Sequence, residues 1–216
     1  MDQNRPSTRK TLKKIWDLLL APFLSAFIRL KITPNALTLT GALLSLPASW
    51  CLSRGEWTAA SLWLLAGGFF DVLDGALARA LKSHRVFGAF LDSTMDRMSE
   101  AVVFLGLVLY YGTQGDGLSL GLAFTTAFLS QLISYTRARA EGLGVANEVG
   151  WVTRPVRILG LAAGLLLQFP TATLWILCLL SLVTVFQRIY HVYRQTKSGP
   201  GARPQKALHP GGRHGI

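Results

Sequence analysis

Residues 71–96 read DVLDGALARALKSHRVFGAFLDSTMD, and this stretch places four carboxylates between two long apolar segments. Asp71 and Asp74 close the first segment, and Asp92 and Asp96 open the second. The short basic connection between them predicts two antiparallel, neighbouring helices. On helices that turn about 100° per residue, the two acids of each helix share one face, so the four carboxylates can converge.

Apolar segments recur along the chain, and most approach the ~20 residues that a helix needs to cross ~30 Å of hydrocarbon. The composition agrees, because the 216 residues are 50% hydrophobic and only 15% charged, whereas a soluble domain carries about 25% charged residues. We therefore predict an all-α integral membrane protein with six transmembrane helices. The predicted spans are residues 34–53, 57–81, 86–111, 117–136, 157–169 and 171–187.

The positive charges fall on one side of this six-helix arrangement. The chain has 22 Lys and Arg residues against 11 Asp and Glu residues, a net charge of +11, and Arg54 alone lies in a loop on the opposite side. Cytoplasmic loops are enriched in Lys and Arg, so a multi-pass protein of the cell membrane is predicted, with both termini and the carboxylates on the cytoplasmic side. The basic excess then reflects topology and attraction to the lipid bilayer, and nucleic acid is not expected as a partner.

The two ends of the chain differ from its apolar middle. Residues 8–30 combine a Lys-rich start with an apolar run, which is typical of an amphipathic helix in the cytoplasmic interface. A signal peptide begins in a similar way, but this run ends in Arg29 and Lys31 without a small-residue cleavage site. We predict an N-terminal segment with the interfacial helix at 1–33, a transmembrane domain at 34–196 and a disordered basic cytoplasmic tail at 197–216.

The four carboxylates lie where a membrane protein seldom tolerates charge, which usually marks a functional site. They would repel each other strongly unless cations neutralised them. Oxygen ligands suit Mg²⁺ or Mn²⁺ rather than zinc or copper, and two ions would match the charge of four carboxylates. Two such ions can clamp a phosphate during an in-line displacement. The alternative is that each acid is a helix-end charge facing water or an ion-pair partner of Arg79 or Arg97.

Eight residues in this stretch resemble, at every spacing, the signature of the CDP-alcohol phosphotransferase family. These residues are Asp71, Asp74, Gly75, Ala78, Arg79, Gly88, Asp92 and Asp96. The resemblance implies a membrane enzyme, usually a homodimer, in which the hydroxyl of an alcohol displaces CMP from a CDP-linked lipid. It also implies that Asp71, Asp74, Asp92 and Asp96 bind Mg²⁺ or Mn²⁺, with Asp96 serving in addition as the general base.

The same resemblance assigns residues to the CDP-linked lipid. Gly75 and Arg79 match positions that contact the CDP part. The first span opens with Pro-Asn-x-x-Thr, where the family has Pro-(Asn/Asp)-x-x-Thr, which implies nucleotide contacts from Asn35, Ala36, Leu37 and Thr38. Arg85 departs from the family, whose members often carry Ser or Thr before the glycine turn. Arg85 either reaches the diphosphate or only marks the cytoplasmic loop.

The connection between the fourth and fifth spans bears on the second substrate. Residues 130–141 read SQLISYTRARAE, which looks like the Ser-Tyr-x-(Lys/Arg)-Ala-Arg-Ala-Glu stretch of bacterial phosphatidylinositol phosphate synthases. Residues 154–157 read RPVR and resemble their Glu-Arg-Pro-Glu-Arg segment without its acidic members. In that subfamily, the residues matching Arg137, Arg157 and Arg188 bind the acceptor's phosphate. Three arginines could form such a site, although the positive-inside rule alone would also place arginines here.

Together these features favour transfer of a phosphatidyl group from CDP-diacylglycerol to a phosphorylated polyol, inositol 1-phosphate. Two alternatives stay open. The acceptor could be glycerol 3-phosphate, whose phosphate would need similar arginines, which would make the protein a phosphatidylglycerophosphate synthase. A divalent-cation transporter would also use intramembrane carboxylates, but near the middle of the membrane, on interrupted helices and often with a repeated half.

Overall fold

The computed structural model describes residues 20–82 and 86–197, and every regular element within these residues is a helix. In chain order these are α1 (Leu20–Arg29), α2 (Pro34–Leu43), α3 (Ser45–Ser53), α4 (Trp57–Ala80), α5 (Val86–Thr113), α6 (Gly117–Gly142), α7 (Arg154–Leu166) and α8 (Pro170–Lys197). The prediction of an all-α protein is confirmed.

Four helical stretches in the described part of the chain are long and apolar enough to cross a membrane. They are Pro34–Ser53, α4, α6 and α8, and they coincide with four of the six predicted spans. The helix α5 has 28 residues, but Asp92 and Asp96 lie in its first half. The helix α7 has 13 residues, about 20 Å at 1.5 Å per residue, which is shorter than the hydrocarbon layer. Length and composition therefore support four of the predicted spans.

Several helices continue beyond the predicted ends of their spans. The helix α6 extends past residue 136 to Gly142, and α8 extends past residue 187 to Lys197. The helix α7 starts at Arg154, with a proline in its first turn, where the fixed φ of proline suits a helix start. Hydropathy marked where the apolar side chains stop, whereas the backbone hydrogen bonds of a helix continue through polar residues. These extensions place polar side chains on rigid helices.

The helices pack around two apolar clusters. The larger cluster joins α3 to α8 and includes the fully buried side chains of Leu52, Leu107, Ala123, Leu165 and Leu174. The helix α4 packs against α2, α3 and α7, and α5 packs against α2, α3 and α6. Leu107 lies three turns along α5 from Asp96. The large cluster therefore holds the helices together in a region of the protein that is remote from the carboxylates.

The smaller cluster attaches α1 to α2 and α4. Leu20, Leu24 and Phe27 recur at helical spacing along one face of α1 and pack with Leu37 and Leu77. Most other side chains of α1 are exposed. The described part of the predicted amphipathic helix therefore has one packed face. Residues 8–19 of that prediction and residues 198–216 of the predicted tail lie outside the described residues.

Two glycines let α2 and α4 approach closely. A β-carbon on Gly67 would lie 3.3 Å from the carbonyl oxygen of Gly41, tighter than an ordinary van der Waals contact. Small residues are enriched where membrane helices pack at short distance. One turn further along α4 is Asp71, so the close crossing sets the distance between α2 and the carboxylates of α4.

We expect Gly67→Val to lower the thermal unfolding temperature, because the added side chain must push α2 away from α4. Overpacking of this kind costs about 1–3 kcal/mol. Gly68→Val is the matched control, since it adds the same side chain at the next position of α4, where a β-carbon would meet nothing within 4 Å. Thermal unfolding of both variants in one detergent measures the difference. Equal unfolding temperatures would contradict the close approach.

Candidate active site

Three carboxylates converge where α4 and α5 face each other. One oxygen from each of Asp71, Asp74 and Asp92 lies within 4.8 Å of the other two. Asp71 and Asp74 are one turn apart on α4, and Asp92 lies in the second turn of α5. Asp74 is buried, while Asp71 and Asp92 are half-buried. Three negative charges at this spacing repel one another unless a positive charge lies among them.

The chemistry of the cluster fits a hard divalent cation. All three side chains offer oxygen ligands, which Mg²⁺ and Mn²⁺ prefer. The Oδ1 atom of Asp92 is buried and has no hydrogen-bond partner among the described residues. An unsatisfied buried acceptor is costly, and a cation at this point would satisfy it. Asp71, Asp74 and Asp92 are therefore able to hold a metal ion.

Thr38 of α2 supports one of these carboxylates. Its buried hydroxyl donates a hydrogen bond to Oδ2 of Asp74 at 2.6 Å. Outer hydrogen bonds of this type orient metal ligands and tune their affinity. The close approach of α2 and α4 is what brings this hydroxyl within reach. Thr38 thus contacts the carboxylate cluster directly, in addition to lining the cavity described next.

A cavity of about 330 Å³ opens beside the cluster, between α2, α4 and the start of α5. Asn35, Thr38 and Gly75, three of the predicted CDP-lipid contacts, line it together with Asp74, Gly88 and Asp92. A β-carbon on Gly88 would lie 3.2 Å from Oδ1 of Asn35. The glycine therefore keeps this side of the cavity open.

Asp96 pairs with an arginine beside the three-carboxylate cluster. The Nη1 atom of Arg154 lies 2.8 Å from Oδ1 of Asp96 and 3.0 Å from Oδ1 of Asp71. The structure therefore gathers all four predicted carboxylates, but with a protein cation between Asp71 and Asp96. Arg154 was not among the predicted site residues. The sequence offered one indication that Arg154 belongs to the site, namely its position in the RPVR segment.

A second, larger cavity of about 580 Å³ lies on the side of α5 that faces α6, α7 and α8. Asp92 and Asp96 line it, so the carboxylates of α5 contact this cavity as well. The three predicted phosphate-binding arginines, Arg137, Arg157 and Arg188, all line it, together with Arg97 and Arg154. Arginines from four helices, α5, α6, α7 and α8, thus form one basic chamber next to the carboxylates.

Comparison with known proteins agrees with this arrangement. The match to the family described as CDP-alcohol phosphatidyltransferase covers residues 31–191, which is well over half of the chain. The chain belongs to the CDP-alcohol phosphatidyltransferase family. This is a family of enzymes, so the transporter alternative loses its support.

Individual relatives of this phosphatidyltransferase share most of its length. A phosphatidylinositol phosphate synthase of Mycobacteroides abscessus is 37% identical over 206 residues, covering 90% of this chain and 89% of its own. An archaetidylinositol phosphate synthase of Methanothermobacter thermautotrophicus is 35% identical over 203 residues, covering 91% and 96%.

Solved structures of one relative also match. The phosphatidylinositol phosphate synthase of Mycobacterium tuberculosis with CDP-DAG bound has a TM-score of 0.76 at 29% identity, covering 87% of this chain and 98% of that chain. The same protein in complex with manganese and citrate has a TM-score of 0.76 at 29% identity, covering 83% and 90%.

The other residues predicted to contact the CDP-lipid lie in different surroundings. The Leu37 side chain is buried in the smaller apolar cluster, and Ala36 is exposed. Neighbouring helical residues point about 100° apart, so Leu37 and Thr38 face different surroundings. Arg79 is exposed, and its Nη1 lies 3.4 Å from where a β-carbon on Gly75 would be, beside a cavity-lining residue. Arg85 lies outside the described residues.

Two of the chamber arginines in this phosphatidyltransferase are held in contrasting ways. Arg137 is half-exposed and pairs with Glu141 at 2.8 Å and Glu148 at 3.7 Å. Arg188 is buried, and its Nε donates to the carbonyl oxygen of Val149 at 3.0 Å. A second donor of Arg188, Nη1, bonds the carbonyl oxygen of Ile133. Arg188 is therefore fixed by backbone, whereas Arg137 can exchange its carboxylate partners for another anion.

Arg157 forms a buried two-point ion pair with Glu100. Its Nε lies 2.7 Å from Oε1 and its Nη2 lies 2.9 Å from Oε2, and both side chains are 2% exposed. Its Nη1 also donates to the carbonyl oxygen of Val152 at 3.2 Å. The structure thus places Arg157 at the chamber wall but commits three of its nitrogen atoms to protein partners.

Arg157→Ala should destabilise the protein by about 3–5 kcal/mol, because it leaves the Glu100 carboxylate buried and unpaired. Arg137→Ala is the control: it removes an arginine from the same chamber, but a half-exposed ion pair contributes about 0–1 kcal/mol. Replacing both Arg157 and Glu100 by methionine should recover much of the loss, since no buried charge then remains. Thermal unfolding in detergent measures all three. Equal unfolding temperatures of the two alanine variants would contradict a structural role for the Arg157–Glu100 ion pair.

Proposed function

We propose that this enzyme transfers a phosphatidyl group from CDP-diacylglycerol to a hydroxyl of inositol 1-phosphate, giving phosphatidylinositol phosphate and CMP. The observation that carries the proposal is the position of the carboxylate cluster between two cavities of different chemistry. One cavity has the glycines and Asn35 of the family signature, and the other is lined by arginines. Such an arrangement suits a reaction between a nucleotide-linked lipid and a second, phosphorylated substrate.

The smaller cavity is the proposed site of the CDP group. Asn35, Thr38 and Gly75 would contact the nucleotide through their side chains or backbone. Arg79 would approach the nucleotide from the rim of the cavity. Arg85, Ala36 and Leu37 remain predictions carried by the family resemblance. With the nucleotide in this cavity, the diphosphate would extend toward Asp74 and Asp92, which line the same cavity.

A metal centre of two Mg²⁺ or Mn²⁺ ions is proposed at Asp71, Asp74, Asp92 and Asp96. When bound, the ions would offset the negative charge of the diphosphate and of the departing CMP. The convergence of Asp71, Asp74 and Asp92 supports one ion-binding position. The relative that was solved with manganese supports the class of ion. Thr38 would hold the Asp74 carboxylate in its orientation.

Asp96 is the proposed general base, because it lines the basic chamber as well as lying next to the cluster. The acceptor oxygen would form a bond to the β-phosphorus of CDP-diacylglycerol while the bond from that phosphorus to the oxygen bridging to CMP breaks. The bridging oxygen leaves with CMP. The proton of the acceptor hydroxyl passes to Asp96 and then to water in the chamber.

The basic chamber is the proposed site of the acceptor. Arg137 and Arg188 would bind its phosphate, since guanidinium groups form paired hydrogen bonds with phosphate oxygens. Arg157 would contribute positive charge from the wall while Glu100 holds it in position. The relatives named above as phosphatidylinositol phosphate and archaetidylinositol phosphate synthases favour inositol phosphate over glycerol 3-phosphate.

We further propose six membrane spans, with α5 and α7 completing the four apolar stretches, and α1 in the cytoplasmic interface. The termini and both cavities would face the cytoplasm of a cell membrane. Large apolar side chains support contact with lipid, among them Trp50, Leu118, Phe124 and Phe169, each 64–70% exposed. The catalytic unit would be the transmembrane domain at 34–196, and it would form a homodimer as the family usually does.

The acceptor is tested by CMP release from CDP-diacylglycerol in detergent micelles, with Mn²⁺ or Mg²⁺ present. Inositol 1-phosphate should support CMP release and incorporation of label into lipid, because it combines a hydroxyl with the phosphate that the arginines require. Free inositol and serine lack a phosphate and should support neither. Glycerol 3-phosphate is the decisive comparison, and faster transfer to it would replace the proposed acceptor. No transfer to any acceptor would contradict the proposed function.

Asp96→Asn should lower turnover by about 10²–10⁴-fold, because the amide cannot take the acceptor's proton. Binding of CMP and Mn²⁺ is measured on the same preparation to show that the cluster still forms. Asp116→Asn is the control, since Asp116 is an acid that caps α6 through the backbone N–H of Ser119, far along the chain from the cluster. Turnover of Asp96→Asn near that of the control would remove Asp96 as the base.

A further inference from the structure

Arg154 lies where two cavities and the carboxylate cluster meet. It lines the basic chamber, and it also lines an apolar cavity of about 360 Å³ between α2, α4, α5 and α7. Val72, Val103 and Leu159 contribute to this apolar wall, whose charged lining residues are Asp71 and Arg154. Between the two cavities, the Nη1 atom of Arg154 contacts Asp71 and Asp96. A single guanidinium therefore touches the carboxylates, the apolar cavity and the basic chamber.

The contact with Asp71 conflicts with metal binding at the same carboxylate. A cation that bound Oδ1 of Asp71 would stand within a few ångströms of the Arg154 guanidinium, where two positive charges repel. An ion bound at Oδ1 of Asp71 would therefore compete with the guanidinium for that oxygen. The same Nη1 atom lies 2.8 Å from Oδ1 of Asp96, so a second ion at Asp96 would repel the guanidinium from that carboxylate as well.

The guanidinium also has unused bonding capacity. Its Nε is buried and has no hydrogen-bond partner within the described ranges, and a buried donor without an acceptor is costly. The planar fork of an arginine forms paired hydrogen bonds with phosphate oxygens, and the unpartnered Nε of Arg154 is available for one of them. In the proposed function, the phosphate that joins lipid to nucleotide has its acyl chains on one side and its nucleotide on the other. The junction of the apolar cavity with the carboxylate cluster meets that description.

We propose that Arg154 competes with the metal ion for Asp71 and, once the ion is bound, turns its guanidinium to the lipid-linked phosphate of the donor substrate. The second half rests on the proposed function, whereas the competition for Asp71 does not. Arg154 thereby couples loading of the metal to readiness for the lipid substrate.

The competition is tested by titrating Mn²⁺ into the purified full-length protein, without nucleotide, and following free Mn²⁺ by electron paramagnetic resonance. Arg154→Gln should bind Mn²⁺ about tenfold more tightly than the parent protein, because a competing and repelling charge is gone. Arg97→Gln is the matched control: it removes one positive charge from the same chamber, from a residue with no ion pair to a described carboxylate, and should change the affinity much less. Unchanged or weaker Mn²⁺ binding by Arg154→Gln would overturn the competition.

The phosphate contact is tested by comparing two ligands in the presence of saturating Mn²⁺. Arg154→Gln should bind CMP like the parent protein, because CMP lacks the lipid-linked phosphate, and should bind CDP-diacylglycerol about tenfold more weakly. The affinity of Arg154→Lys for CDP-diacylglycerol should lie between those of the parent protein and Arg154→Gln. The lysine variant takes the place of the glutamine variant in this test if the latter does not fold. Equal effects on both ligands, or none on either, would overturn the phosphate contact. If the parent protein bound no CDP-diacylglycerol, the proposed function and the phosphate contact would both fail, while the Mn²⁺ titration would still decide the competition.

Discussion

Repulsion among carboxylates at short distance is the constraint around which this protein is organised. Asp71, Asp74 and Asp92 converge to within 4.8 Å in a partly buried site, where charges interact more strongly than in water. Groups on two neighbouring helices offset this repulsion. Thr38 donates a hydrogen bond from α2, and Arg154 contributes a positive charge from α7. Both contacts depend on how closely the neighbouring helices pack. The apolar clusters therefore support the site by fixing the positions of those helices.

The two cavities beside the cluster differ in what they offer a ligand. The smaller cavity relies on glycines, which let a bulky ligand reach the carboxylates without a side chain in the way. The larger cavity relies on arginines, some held rigidly and some able to change partners. A metal centre between them would neutralise the diphosphate, and the arginines would neutralise the acceptor's phosphate. Two anionic substrates can then approach one another, which simple electrostatics would otherwise oppose.

Much of the site was predictable because its spacing is local. The separations of Asp71 from Asp74 and of Asp92 from Asp96 match the turn of a helix, and a short connection makes the two helices neighbours. Contacts between distant parts of the chain were not predictable in this way. Arg154 reaches a carboxylate 83 residues away, and Arg157 pairs with Glu100 across 57 residues. Charge alone could not tell which arginine faces a substrate and which one balances a buried acid.

The helix ends show the same limit. Hydropathy located the apolar segments, but α6 and α8 continue as helices into polar sequence, because a helical backbone needs no apolar side chain.

Metal binding by the three converging carboxylates can be observed by anomalous diffraction at the manganese edge from crystals grown with Mn²⁺. We expect a peak within about 2.0–2.6 Å of oxygens from Asp71, Asp74 and Asp92. A well-ordered crystal with manganese bound elsewhere, and no peak at these three carboxylates, would contradict it.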